Sequence, residues 1–107
     1  MNIIEEIKGD IMNNKFLPLG SVVLLKDANR PLVIIGYTVV EEGNNRVWDY
    51  LGCAYPVGVI GNDKNLLFQK QQIEKVLFIG FSNEEGKQFL TELDTTIEEI
   101  KKGNIKL

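Results

Sequence analysis

Between Ser21 and Phe81 the chain repeats one pattern: a short apolar run rich in Val and Ile, then a polar turn. Ser21–Lys26 is followed by Asp27-Ala28-Asn29-Arg30-Pro31, and Leu32–Val40 by the acidic hairpin Glu41-Glu42-Gly43-Asn44-Asn45. Arg46–Tyr55, Leu66–Gln69 and Ile73–Phe81 complete a set of five strands. In the first two, apolar residues stand at consecutive positions rather than alternate ones. Strands of that kind are expected to be covered on both faces, as in a small closed barrel or a sheet capped by helices. A chain of 107 residues has room for one domain and one core, so any cover comes from the same short chain.

Two segments offer themselves as covers. Ile3, Ile4, Ile7 and Ile11 fall at helical spacing with Glu5, Glu6, Lys8 and Asp10 on the other side. This predicts a short amphipathic helix over 2–13, although Gly9 weakens it by about 1 kcal/mol. Leu17-Pro18-Leu19-Gly20 then ends the helix and opens the sheet. At the other end Ser82 and Glu85 read as a capping box, with Glu84 and Glu85 at the positive end of the helix dipole. Phe89, Leu90, Leu93, Ile97 and Ile100 form one apolar stripe, Lys101 and Lys102 suit the negative end, and Gly103 is a stop. The predicted helix covers 83–102. Lys70-Gln71-Gln72 leaves space only for a tight turn or one turn of 3₁₀ helix between the last two strands, an SH3-like feature. The expected fold is therefore α+β: a small bent antiparallel sheet of about five strands, an SH3-like barrel, flanked by an N-terminal and a C-terminal helix. It makes a single domain over 1–107 with its β-rich core at 20–81.

Composition excludes several functions. The formal charge is -3 and the twelve basic residues are scattered, whereas a phosphate backbone calls for clustered Lys and Arg. The apolar share of 44% is that of a globular protein. The first residues carry acids where a secretory signal has a basic stretch and an apolar run. Apolar runs are far shorter than the roughly 20 residues needed to cross a bilayer. Cys53 is the only cysteine and fits a reducing compartment. A cytoplasmic protein without membrane insertion is expected.

The residues for chemistry are sparse. There is no histidine, the commonest general base and metal ligand, and hence no Cys–His pair for Cys53. No Cys/His cluster, phosphate loop or serine elbow is present, so no metal, cofactor or catalytic residue is assigned. Gly58 and Gly61 precede a strand rather than a helix and cannot seat a phosphate on a helix N-terminus. Asp49 interrupts the aromatic strand Trp48-Asp49-Tyr50. A carboxylate in apolar surroundings can act as a base if its pKa rises; the plainer reading is an outward-facing residue or a partner for Arg46. Trp48, Tyr50 and Tyr55 lie close together, and Trp and Tyr are the residues of interface anchors. The loop 57–65 follows at once, with Val57, Val59 and Ile60 between and beside two glycines. These aliphatics either plug the core or present an apolar patch beside Tyr55.

The run Leu17-Pro18-Leu19-Gly20-Ser21-Val22-Val23-Leu24-Leu25-Lys26, then Leu32-Val33-Ile34-Ile35-Gly36, then Trp48-Asp49-Tyr50-Leu51-Gly52-Cys53-Ala54-Tyr55-Pro56-Val57-Gly58, Lys64-Asn65-Leu66-Leu67-Phe68 and Ile73–Phe81, resembles a family of small proteins of unknown function from Gram-positive bacteria, number 4176 in the domain-of-unknown-function series. The resemblance spans about residues 16–93, and the aromatic-Asp-Tyr-x-Gly-Cys-x-Tyr-Pro-x-Gly run is its most specific part. Trp48 stands where the family often has Tyr, and Ala54 where it often has Pro. Members are typically encoded beside LXG-type toxins and small helical partners of the type VII secretion system. The resemblance implies an accessory, chaperone or immunity-like role, and it transfers no catalytic residue.

The expected function is non-catalytic protein binding, through Trp48, Tyr50, Tyr55, Val57, Val59 and Ile60. The partner would be another protein, such as a secreted toxin or its small helical partner. A nucleic-acid-binding SH3-like barrel and a small enzyme using Asp49 are the alternatives. Homo-oligomerisation, and whether Trp48 belongs to core or interface, stay open at this level.

Overall fold

The structure, a computed structural model, describes residues 15–40, 43 and 46–103. The helix expected over 2–13 lies outside the described residues. Five strands follow one another: β1 (Val22–Leu25), β2 (Leu32–Val40), β3 (Val47–Ala54), β4 (Leu66–Phe68) and β5 (Ile73–Phe78). One helix, α1 (Glu84–Lys101), closes the described chain. Single 3₁₀ turns occupy Asn62–Lys64 and Lys70–Gln72, the second where the short connection leaves no room for more.

All neighbouring strands are antiparallel, in the order β4-β3-β2-β1-β5. The last strand returns to the first, so β1 lies between β2 and β5. The sheet is open, with β4 and β5 as its edges and no ladder joining them among the described residues. The closed barrel expected from sequence is thus replaced by an open sheet. Among the described residues, β1 and β2 are mostly buried or half-buried along their length. Along β2, Leu32 and Ile34 are buried, Val33 between them is half-buried and Ile35 beyond them is exposed.

The buried face has one centre. Tyr37 and Tyr50 are directly paired across β2 and β3, so both side chains leave the same face. Phe68, paired to Tyr50 from β4, stacks on its ring at 5.2 Å. Phe16 sets its edge against Tyr50 at 5.3 Å and Tyr37 at 5.5 Å. Val23, Leu32, Ile34, Leu17 and Ile97 fill the rest. Phe16 and Leu17 precede the sheet in irregular backbone, and buried irregular backbone must still find hydrogen-bond partners. The Leu17 N–H donates to the Tyr50 Oη at 2.8 Å, and the Tyr37 hydroxyl donates to the Leu17 carbonyl. Either group left unpaired would cost about 1–3 kcal/mol.

The chain then threads past its own far end. The Gly80 N–H donates to Ser21 Oγ at 3.0 Å in a buried site. A Cβ at Gly80 would lie 2.0 Å from the Leu19 carbonyl oxygen, so only glycine lets the exit from β5 run against the entry to β1. In β2, Thr38 adopts a left-handed φ of 51°, a strained choice for a β-branched residue. It follows the register shift between Ile34 and Gly36, where the strand bends.

Helix α1 begins one residue later than the sequence signal suggests. Asn83, not Ser82, is the N-cap: its backbone is extended and its Oδ1 accepts from the Gly86 N–H at 2.8 Å. Glu84 and Glu85 still fall in the first turn, where the dipole favours them. Of the apolar stripe, Ile97 is fully buried, Leu90, Leu93 and Ile100 are half-buried, and Phe89 is exposed.

Two outcomes are expected. Ile97→Ala should destabilise by about 2–5 kcal/mol in equilibrium denaturation, with half-buried Leu93→Ala costing less. Burial also pushes the Tyr37 and Tyr50 phenols well above their ordinary range, for both by desolvation first. The folded state therefore holds the neutral phenols more tightly than the unfolded one. That stabilisation is fully present below about pH 10, the ordinary tyrosine value, and is lost as pH rises beyond it. Urea midpoints should hold below that pH and fall above it, and the fall should shrink in a Tyr37→Phe variant.

Candidate functional site

The β3 strand carries most of the residues singled out from sequence, and the pleat divides them. Tyr50 is wholly buried, its hydroxyl spent on the Leu17 peptide, so it belongs to the core and not to a binding surface. Trp48 is half-buried, with the Arg46 guanidinium carbon 4.3 Å from the ring centroid in a cation–π arrangement. Arg46 thus stands over the indole.

Asp49 is fully buried, against the outward-facing position expected for it. Both carboxylate oxygens are engaged. Oδ1 accepts from Lys101 Nζ at 2.9 Å, and Oδ2 accepts from the Lys70 N–H at 2.9 Å. Lys70 Nζ in turn meets Asp94 Oδ1 at 2.8 Å and lies 3.9 Å from the Phe16 ring centroid. A base needs an oxygen facing a substrate, and each of these already faces a donor from the chain itself. Gln69 adds a second link: its Oε1 accepts from the Asp49 N–H and its Nε2 donates to the Val47 carbonyl, both at 3.1 Å. Cys53 is buried in the same strand. Among the described residues no cluster of three or more Cys, Asp or Glu is placed to hold a metal ion.

The remaining candidates come together on the surface. Tyr55, Val57, Val59 and Ile60 are each more than half exposed, from 53% at Tyr55 to 66% at Ile60. They sit on and just after a turn in which Ala54 and Gly58 form a bridge and the Gly58 N–H donates to the Ala54 carbonyl at 2.8 Å; the Tyr55–Pro56 bond within it is cis. Gly58 takes a φ of 77°, a left-handed conformation that glycine adopts without cost. The aliphatics do not fold into the core. Leu66, at the start of edge strand β4, adds another exposed apolar side chain.

A second apolar surface was not foreseen. Pro18, Leu19, Tyr37, Phe81, Phe89 and Leu90 line a groove of about 260 Å³ between the entry to β1 and the first turns of α1. Phe81 is the most exposed of these, at 83%, and Phe89 stands 6.1 Å from Tyr37. Phe89 shares the helical stripe but lies beyond the part of it that the sheet covers, and periodicity alone does not mark where cover ends.

No described helix is long and apolar enough to cross a membrane. With Cys53 covered, a thiol reagent should label the native protein slowly and the unfolded protein fast. Rapid native labelling would place the thiol at the surface instead.

Neither the curated proteins nor the solved structures contain a significant match to the sequence. A family model does match, over residues 16–89, and is described as a domain of unknown function (DUF4176). That span runs from the clamped entry peptide through all five strands to the first turns of α1. The match covers well over half of the chain, which therefore belongs to this family of domains of unknown function.

Proposed function

We propose that the protein is a non-catalytic, cytoplasmic binding module: an accessory, chaperone or immunity-like factor of a type VII secretion or toxin locus. The observation that carries the binding part is the segment 55–60, where four large apolar side chains are more than half exposed on a backbone anchored at Tyr55 and Gly58 by hydrogen bonds. Exposed apolar groups grouped in this way mark interaction sites rather than ordinary surface. A rigid turn also lowers the ordering cost of binding. The order of the short antiparallel strands supports an SH3-like reading of the sheet. The net charge of -3 speaks for a protein partner over nucleic acid. The lone thiol suits a reducing compartment. The locus rests on the family resemblance, and the partner it implies is a secreted toxin or its small helical companion.

The engaged oxygens of Asp49 make an enzyme the poorer reading. The double variant Tyr55→Ala with Ile60→Ser tests the binding surface. It should keep its unfolding midpoint, since both side chains are exposed, and lose the partner from a pull-down in the native cell. Interface anchors typically contribute about 2 kcal/mol or more of binding. A variant that keeps its partner at full affinity would move the binding surface elsewhere.

A further inference from the structure

The groove at the first turns of α1 has walls that are each held from behind. Tyr37 forms part of it; its hydroxyl donates to the Leu17 carbonyl and its ring meets Phe16 edge-on at 5.5 Å. Phe81 follows Gly80, whose N–H is spent on the buried Ser21 Oγ and whose backbone runs against that of Leu19. The helical wall starts from the Asn83 cap. Yet Leu19, Phe81 and Phe89 are 52%, 83% and 52% exposed around this one concavity. Large apolar side chains gathered on fixed walls are the makings of a binding site.

The groove also restricts the backbone of what can lie in it. Among its lining residues only Tyr37 and Ser82 bear polar side-chain atoms. One wall is a helix bonded to itself, and past Leu19 on the other the Gly20 and Ser21 N–H groups donate to the Ile34 and Pro18 carbonyls. An extended segment laid here would find no ladder for its peptide groups. An α-helix arrives with its own backbone satisfied and needs only an apolar face to offer.

The rim supplies the sign of charge. Glu85 stands four residues before Phe89 and Glu92 three after it, so both share its side of α1, and both are exposed. Lys87, two residues from Phe89, leaves the opposite side of the helix, with Nζ 3.8 Å from Glu84 Oε1. The solvent side of Phe89 is therefore acidic over two turns. An anionic lipid surface would be repelled there, whereas Lys or Arg beside an apolar stripe would be drawn in.

We propose that this groove binds an amphipathic α-helix of a partner protein, one whose apolar face is flanked by Lys or Arg. The site shares no residue with the segment 55–60 and does not depend on the role proposed for it. With both surfaces occupied, the protein would bridge two partners.

The test is fluorescence anisotropy on the full chain with two labelled helical peptides of about five turns. One is built of leucine, alanine and lysine, with lysines flanking a leucine stripe; in the other every lysine is a glutamate. The parent should prefer the lysine peptide, and the preference should shrink as salt rises. Absence of binding, or equal binding of both peptides, would overturn the proposal. Phe81→Ser with Phe89→Ser should weaken binding by roughly tenfold or more, the scale of interface anchors. Glu85→Lys with Glu92→Lys leaves the apolar walls intact and should turn the preference toward the glutamate peptide; an unchanged preference sinks the idea. Asp63→Lys with Glu98→Lys makes the same change of net charge at exposed acids outside the groove and should keep the parent's preference. If it reverses the preference equally, attraction by overall charge replaces the proposed site. Tyr55→Ala with Ile60→Ser should bind the lysine peptide as the parent does, and loss of binding there would transfer the peptide to the segment 55–60.

Discussion

The peptide at Leu17 is where the architecture is decided. It lies in the core without belonging to a helix or strand, and a buried peptide in that position is untenable unless its two polar groups are met. Two tyrosine hydroxyls from adjacent strands meet them, one accepting and one donating. That arrangement goes with Tyr37 and Tyr50 being directly opposed in the pairing of β2 with β3, and it sets Phe16 edge-on against both rings. The following backbone is wired onward: Gly20 donates to the Ile34 carbonyl and Ile34 to the Ser21 carbonyl, delivering the chain into β1. The family match begins at Phe16, one residue before this clamp.

Lys70 joins three parts of the molecule that are distant in sequence. Its N–H holds Asp49 on β3, its ammonium holds Asp94 on α1, and its side chain lies over Phe16 at the entry segment. The side chains of that ion pair are 11% and 17% exposed, shielded enough from water for their attraction to outlast the screening that weakens surface pairs. Polar contacts thus fasten the helix to a sheet whose apolar seam with it is narrow, with Ile97 its one fully buried side chain.

Much of this was legible in the sequence. Five runs of β-branched residues between turn signals located five strands to within a few residues, because local composition and the turn residues act at that scale. The helix was legible from its stripe and its flanking charges. What failed was whatever depended on distant partners. Tyr50 and Tyr55 look alike in sequence, yet a ladder position puts one in the core and a turn puts the other in solvent. Asp49 gave no sign that its cation lay 52 residues away. Phe16 and Leu17 looked like a connection, since nothing local announces that two tyrosines will satisfy their backbone. The aliphatics set among glycines at 55–60 left two readings, plug or patch, and only the structure shows them exposed; the groove had no local signal, because its walls come from segments separated by most of the chain.

Gln69 has a quieter effect. Beyond the three residues of β4, the outer side of β3 would present the Val47 carbonyl and the Asp49 N–H as an open rung, the template on which a stray strand would pair. The carboxamide of Gln69 fills both positions as a peptide group would, a borrowed rung supplied by a side chain. The sheet ends there without offering a place for another chain to add on. A molecule that displays valine, isoleucine and phenylalanine to water can thereby meet its neighbours through side-chain surfaces, which discriminate among partners, and be spared backbone association at that rung, which does not.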